Sequence, residues 1–313
     1  MKILVLGAGG IGGYFGGRLL QAGAAVTFLV RENRRQQLRE HGLRIESQYG
    51  DATLEVDAKL QSEIAADYDL ILLTCKAYDL ASAIDTISPA VSRSTAILPL
   101  LNGIAHIGLL NERFGRDKVL GGTAKIQVTL TPERVVRQLN DWQTITFGEQ
   151  DGSESPRALE LKALLEKTGV EVKLSRNIVR ELWMKLVHLS TVAGMTCLMR
   201  ANLGEIIRTP EGSVLLKAFF DANARIAACA GHAPDEAFAR TYYNLFEQRD
   251  SRYEASMLRD LEKGGPIEAE HILGFMLNRC REAGLDDTVH RLAYTHVKSY
   301  EQRRAAQRLP PPN

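Results

Sequence analysis

Only four cysteines occur in 313 residues, and Cys75, Cys197, Cys229 and Cys280 stand far apart with no C-x-x-C pair among them. A disulfide framework is thereby excluded. The seven histidines have no metal-ligating spacing such as H-E-x-x-H, so no metal site is expected. An excess of charge of one sign is missing too: 39 basic against 38 acidic side chains leave a formal charge of +1, which lacks the footprint of a nucleic-acid partner. Long hydrophobic runs are equally scarce. The N-terminal "ILVL" meets glycine after four residues, too soon for a signal peptide, and no later stretch offers the ~18 unbroken apolar residues of a membrane span. There is no internal repeat. These absences lead to the expectation of a cytoplasmic protein with reduced thiols, without nucleic-acid or membrane partners.

A chain of this length exceeds one small core, and its pattern divides it in two. The first half alternates short apolar runs with helical stretches: "KILVLG" (2–7), a helix over about 12–22, "AVTFLV" (25–30), "LILLTC" (70–75), "STAILPL" (94–100) and "KVLGGT" (118–123). Strands apolar throughout and separated by helices imply a parallel sheet covered on both faces. "VRQLN" (136–140) and "TITFGE" (144–149) alternate more and read as antiparallel edge strands, before a helix at 156–168 and a last strand, "VEVKL" (170–174). From Arg176 the strand signal disappears, and helices are expected at about 177–200, 211–230, 234–248, 251–262, 267–283 and 286–305. The expected organisation is an α/β domain over 1–175 and an all-helical domain over 176–313, with a tail that frays from about 305.

"GAGGIGGYFGGRL" follows the first strand directly and spaces Gly7, Gly9 and Gly12 as G-x-G-x-x-G. The first glycine permits the tight turn, the second lets a pyrophosphate approach the backbone, and the third lets the helix pack on the strand. The second strand ends "FLVRENRR", so Arg31 stands where an acidic residue would bind the ribose of NAD, with Arg34 and Arg35 behind it. A guanidinium there suits the 2′-phosphate of NADP(H), although Glu32 could still reach a ribose. Lys76 and the pair Asn102–Gly103 follow two further strands at the edge where such sheets bind ligands. Lys76 could place charge near the phosphates or be a solvent-exposed loop lysine, and Asn102 could order the nicotinamide ribose or belong to an Asn-Gly turn.

"LWMKLVHLSTVAGMTCLM" (182–199) puts one ammonium inside an apolar run. At 100° per residue, Ile178, Leu182, Leu189, Val192 and Thr196 form one stripe with Lys185 at its centre. A surface ion pair with Glu181 explains the lysine but not the stripe. Apolar surroundings lower a lysine's pKa towards the range of a proton donor near neutrality, so Lys185 is a candidate general acid. In "YEASMLRDLEKGGPIEAEHILG" (253–274), Ser256 lies on a helix ended by Gly264 and Gly265. Glu268 falls in the first turn of the next helix, opened by Pro266, where the dipole favours its ionised form.

Taken in order, "GAGGIGGYFGGRL", Arg31, "CKAYD", "LLNGI", "ELWMKL" and "SMLRDLEKGGPIEAEHILG" closely resemble the ketopantoate reductase (2-dehydropantoate 2-reductase) family over essentially the whole chain. The resemblance implies an N-terminal Rossmann domain, doubly wound on a mainly parallel sheet, and a helical C-terminal domain of the 6-phosphogluconate dehydrogenase type. It further implies NADPH-dependent reduction of a small 2-keto acid, an oxidoreductase acting on CH-OH groups, and a place in pantothenate biosynthesis. The family's roles carry over onto Gly7, Gly9 and Gly12 for the pyrophosphate, Arg31 and Lys76 for the 2′-phosphate end, and Asn102 for cofactor and substrate. Lys185 matches the catalytic lysine, Ser256 the substrate-contacting serine, and Glu268 the acid that binds and orients, on both the catalytic and the cofactor side. The chain departs from the family's K-x-x-x-N-x-x-x-N pattern with Leu189 and Ala193, and it has Tyr253 where an asparagine precedes the serine. A keto acid other than ketopantoate, a related hydroxy-acid dehydrogenase and a silent NADP(H)-binding sensor therefore stand beside the main expectation. A homodimer is the oligomeric expectation.

Overall fold

Every residue in the middle of the first strand is apolar, and in the computed structural model, described here over residues 1–309, Ile3, Leu4 and Val5 are all fully buried. Consecutive burial means that both sheet faces are covered. The elements run β1 (Lys2–Leu6), α1 (Gly10–Gln21), β2 (Ala25–Leu29), α2 (Glu32–His41), β3 (Leu43–Glu46), β4 (Ala52–Leu54), β5 (Asp57–Lys59), β6 (Leu70–Leu73), α3 (Leu80–Ile87), β7 (Ala96–Pro99) and α4 (Ala105–Phe114). Then follow β8 (Gly121–Lys125), β9 (Val128–Leu130), β10 (Val136–Gln138), β11 (Thr144–Gly148), α5 (Pro156–Glu166) and β12 (Glu171–Leu174). Five parallel strands lie in the order β5-β2-β1-β6-β7, with Leu6 beside Leu29 on one side and Leu73 on the other. The carboxyl ends of β1, β2 and β6 are therefore level.

The remaining strands correct the expectation of one sheet with antiparallel edges. They form two smaller mixed sheets, β4-β3-β10-β9 and β12-β11-β8. β10 pairs parallel with β3 and antiparallel with β9, while β11 pairs parallel with β12 and antiparallel with β8. The "KVLGGT" strand is displaced to Gly121–Lys125, and only an isolated bridge, Ile97 to Val119, joins its leading residues to the parallel sheet. The small sheet holds α1 through glycine: a Cβ on Gly13 would sit 2.7 Å from Val136 Cγ2, and one on Gly17 2.5 Å from Ile45 Cδ1.

Beyond β12 the described residues are helical: α6 (Ile178–Met199), α7 (Leu203–Ile207), α8 (Gly212–Cys229), α9 (Glu236–Leu245), α10 (Ser256–Glu262), a π turn (Glu270–Gly274), α11 (Phe275–Glu282) and α12 (Thr288–Ala305). The helix expected from 251 starts only at Ser256, and the one expected over 267–283 is broken by the π turn. α12 stops at Ala305, and residues 310–313, on which the expected fraying also falls, lie outside the described residues. The chain divides into two compact units, Met1–Leu101 with His106–Leu182, and Asn102–Ala105 with the residues from Trp183 onward. α6 is long and apolar enough to cross a membrane, with a mean hydropathy of 1.3, but 72% of that window is buried within the protein, as in a core helix.

Three buried polar side chains of the helical unit, Thr191, Asn223 and His290, lie within hydrogen-bond reach of one another. Asn223 Nδ2 donates to Thr191 Oγ1 at 3.1 Å, and Asn223 Oδ1 lies 3.2 Å from His290 Nε2. His290 is buried, and desolvation pulls its pKa down to about 4 against the opposing charges of Asp287 and Asp286. The fold thus holds this imidazole neutral while the unfolded chain takes up a proton near pH 6.5, so stability falls as pH drops from about 6.5 to 4 and then levels. The loss from this group is about 3 kcal/mol. Denaturant titrations across that range should show that much less pH dependence in His290→Gln than in the parent; equal slopes would contradict the assignment.

Candidate active site

The loop after β1 has the backbone that a dinucleotide needs. Gly7 sits at φ +92°, a conformation that side chains strain, and its N–H donates to Leu29 O at 2.9 Å. A Cβ on Gly12 would stand 2.2 Å from Gly7 O and 2.5 Å from Thr74 Oγ1, so helix and strand meet too closely for any other residue. Thr74 Oγ1 donates to Leu6 O at 2.8 Å and ties the end of β6 to the same loop. Gly9, by contrast, has nothing within 4 Å of its Cβ position. Two glycines are required by the protein itself, and the one between them faces open space, an arrangement that fits an approaching pyrophosphate.

Arg31 and Lys76 follow the neighbouring strand ends. Arg31 is the exposed N-cap of α2, and Lys76 is half-buried at the head of a 3₁₀ turn, Ala77–Asp79. The cationic run after Arg31 resolves into separate tasks. Arg35 reaches Glu32 Oε2 at 2.6 Å and Glu63 Oε1 at 2.9 Å, which also occupies Glu32, the alternative ribose acceptor. Arg34 turns the other way, its Nε and Nη2 both donating to Ala8 O, at 3.1 and 2.7 Å.

In the helical unit Asn102, Lys185 and Glu268 come together. Gly103, at φ +86°, lies so close to the π turn that a Cβ would be 2.8 Å from His271 O, and this approach brings Asn102 Nδ2 to 3.1 Å from Glu268 Oε2. Glu268 is only 4% exposed. Lys185 is half-buried on α6, and desolvation lowers its pKa from 10.5 to about 8, with the Glu268 carboxylate pulling the other way. Ser256 opens α10 half-buried and is not part of this hydrogen-bonded group. Of the departures from the family pattern, Ala193 is buried and Leu189 half-buried. Tyr253 presents its hydroxyl to His188 Nε2 at 2.7 Å with the rings stacked 5.7 Å apart, and burial pushes its pKa up to about 12. The pairing of Tyr253 with His188 and the clamp made by Arg34 have no signature in the sequence, because each depends on a partner brought in by folding.

If Glu268 holds the proton on Lys185, removing its charge while keeping its shape must lower the lysine pKa further. Glu268→Gln should therefore move the titration of Lys185 below about 8, read by ¹³C NMR of labelled lysine; an unchanged or raised value would show that the two charges do not interact.

The family model for ketopantoate reductase PanE/ApbA matches residues 3–152, and that for its C-terminal domain matches residues 177–301. The "Uncharacterized oxidoreductase YkpB" of Bacillus subtilis is 31% identical over 96% of this chain and 99% of its own length. The crystal structure of 2-dehydropantoate 2-reductase from Methylococcus capsulatus superposes with a TM-score of 0.86 at 26% identity, covering 97% of this chain and 98% of that one. D-mandelate dehydrogenase, solved with NADH and anilino(oxo)acetate, shares the fold with a TM-score of 0.86 at 22% identity, covering 97% and 99%. With both domain models matched, a parallel sheet carrying the glycine loop and a helical unit carrying Lys185, the chain belongs to the ketopantoate reductase family of oxidoreductases acting on CH-OH groups.

Proposed function

We propose that this protein is an NADPH-dependent reductase that converts a 2-keto acid to the 2-hydroxy acid, with Lys185 as general acid. The observation that carries the reading is the desolvated lysine held near pKa 8 beside a buried glutamate. Gly7, Gly9 and Gly12 would hold a nicotinamide dinucleotide, which would supply the hydride. Lys185, protonated at neutral pH, directs its ammonium at the keto oxygen and gives up a proton as negative charge develops there. Glu268 keeps the proton on Lys185 until that moment and is itself held by Asn102. Ser256 donates to the substrate carboxylate. In this reading residues 1–175 hold the cofactor and residues 176–313 supply the acid.

The preference for NADPH rests on Arg31, exposed at the end of β2, and on Glu32, whose carboxylate is engaged by Arg35 instead of being left for a ribose. Lys76 adds charge at the same sheet edge. A keto acid other than ketopantoate is favoured by one specific feature: Leu189, Ala193 and Tyr253 offer no amide to a substrate hydroxyl, and the Tyr253 hydroxyl is committed to His188. A site that lacks such donors loses ~1 to 3 kcal/mol for each hydrogen bond a polar substrate cannot make.

Loss of NADPH absorbance with a panel of 2-keto acids tests the activity directly; a protein that binds NADPH and oxidises it with none of them is a sensor. On the best substrate Lys185→Ala should lower kcat/KM by roughly 10² to 10⁴ with NADPH affinity unchanged, and in the parent the reductive rate should fall as pH rises through about 8. Parental turnover in that variant would remove the lysine from the mechanism. Arg31→Ala should raise KM for NADPH far more than for NADH, and equal changes would remove the 2′-phosphate assignment.

A further inference from the structure

Arg34 is half-buried and has no carboxylate partner among the described residues. Its guanidinium is satisfied by neutral acceptors: Ala8 O receives both Nε and Nη2, while Nη1 donates to Gln37 Oε1 and, at 3.3 Å, to Arg134 O. Arg134 stands in the turn between β9 and β10, at φ 62°. That hairpin also rests on the start of α1, where a Cβ on Gly10 would meet Val128 O at 3.1 Å. One side chain thus ties together the glycine loop, the first turn of α2 and the hairpin.

The consequence follows from peptide geometry. The Ala8–Gly9 peptide is trans, so its carbonyl and its N–H point in opposite directions. Two donors from one rigid fork hold Ala8 O towards Arg34, and this aims Gly9 N–H away from it. That N–H has no acceptor among the described residues, and the space beside Gly9 is open. An unpaired peptide would be able to rotate; this one is locked with its donor outward. We propose that Arg34 is a positioning residue for the dinucleotide pyrophosphate, fixing the Ala8–Gly9 peptide so that Gly9 N–H meets the anion. Burial and the neighbouring Arg134 and Arg44 hold the Arg34 pKa down at about 10.

The inference rests on the dinucleotide reading above but makes a separate demand. Arg31 is assigned to the 2′-phosphate and should discriminate between cofactors, whereas the Arg34 clamp acts on a group that NADH and NADPH share. Dissociation constants for both, from quenching of protein fluorescence, should rise at least tenfold in Arg34→Gln with their ratio kept within twofold of the parent's. KM for NADPH should rise in step, while turnover at saturating cofactor changes less than twofold. Arg34→Lys retains charge and stem, so it carries the test even if the glutamine variant does not fold; a single ammonium cannot make the fork, and both constants should still rise at least threefold. Parental affinities in Arg34→Lys, or a loss confined to NADPH, would overturn the clamp, as would a fall in turnover without a change in affinity. Failure of the parent to bind either dinucleotide would instead overturn the cofactor reading itself.

Discussion

The helical unit is organised around the cost of keeping an ammonium away from water. Partial removal of Lys185 from solvent destabilises its charged form. Glu268 answers it only in part, since the lysine still lies well below its ordinary value. The glutamate needs its own support, which Asn102 provides, and Asn102 is in place because Gly103 lets the backbone run close to the π turn at His271. Each link exists to hold the one before it. A π turn wedged into a helix costs hydrogen-bond geometry, and here it lies directly after the glutamate whose position it helps set.

The parallel sheet obeys a constraint of a different kind, set by volume instead of charge. Gly12 has no room for a methyl group against Gly7 O, and Gly13 and Gly17 have none against the small mixed sheet. A helix that approaches on two sides through glycine is fixed in place without long side chains. Its first turn therefore stays bare, and the open space at Gly9 is the counterpart of the crowding at Gly12. Close packing makes the loop rigid, and rigidity is what a site needs if binding is not to be weakened by ordering.

Legibility in the sequence followed what decides each element. Strands β6 and β7 are apolar throughout and β1 and β2 are so but for Lys2 and Thr27, and long helices such as α6, α8 and α12 carry enough periodic apolar residues to be read one by one. β4 (Ala-Thr-Leu) and β5 (Asp-Ala-Lys) are three residues each with no pattern of their own; only pairing with β3 and β2 makes them strands. α7 had a readable signal, the Asn202-x-x-Glu205 capping box, in which each side chain bonds the other's backbone N–H. The site divides the same way. Gly7, Gly12 and Lys185 stand out because their types contradict their surroundings, whereas Arg31, Arg34 and Arg35 look like one cationic run. Packing gives them three different tasks: exposed cap, clamp on a carbonyl, and ion pair with two glutamates.

The departures from the family pattern bear on the acid as well as on the substrate. Leu189 and Ala193 follow Lys185 by one and two turns on its own face of α6, where side chains four residues apart meet. Amides at those positions would donate and accept hydrogen bonds and so replace some of the water the ammonium has lost. Alkyl groups cannot. Glu268 is then the charge that opposes the desolvation of Lys185. In the proposed reading, the two positions that offer no amide to a hydroxylated substrate offer none to the lysine either. Under the proposed mechanism, proton donation from Lys185 therefore depends on its desolvation and on Glu268 instead of on amide hydrogen bonds.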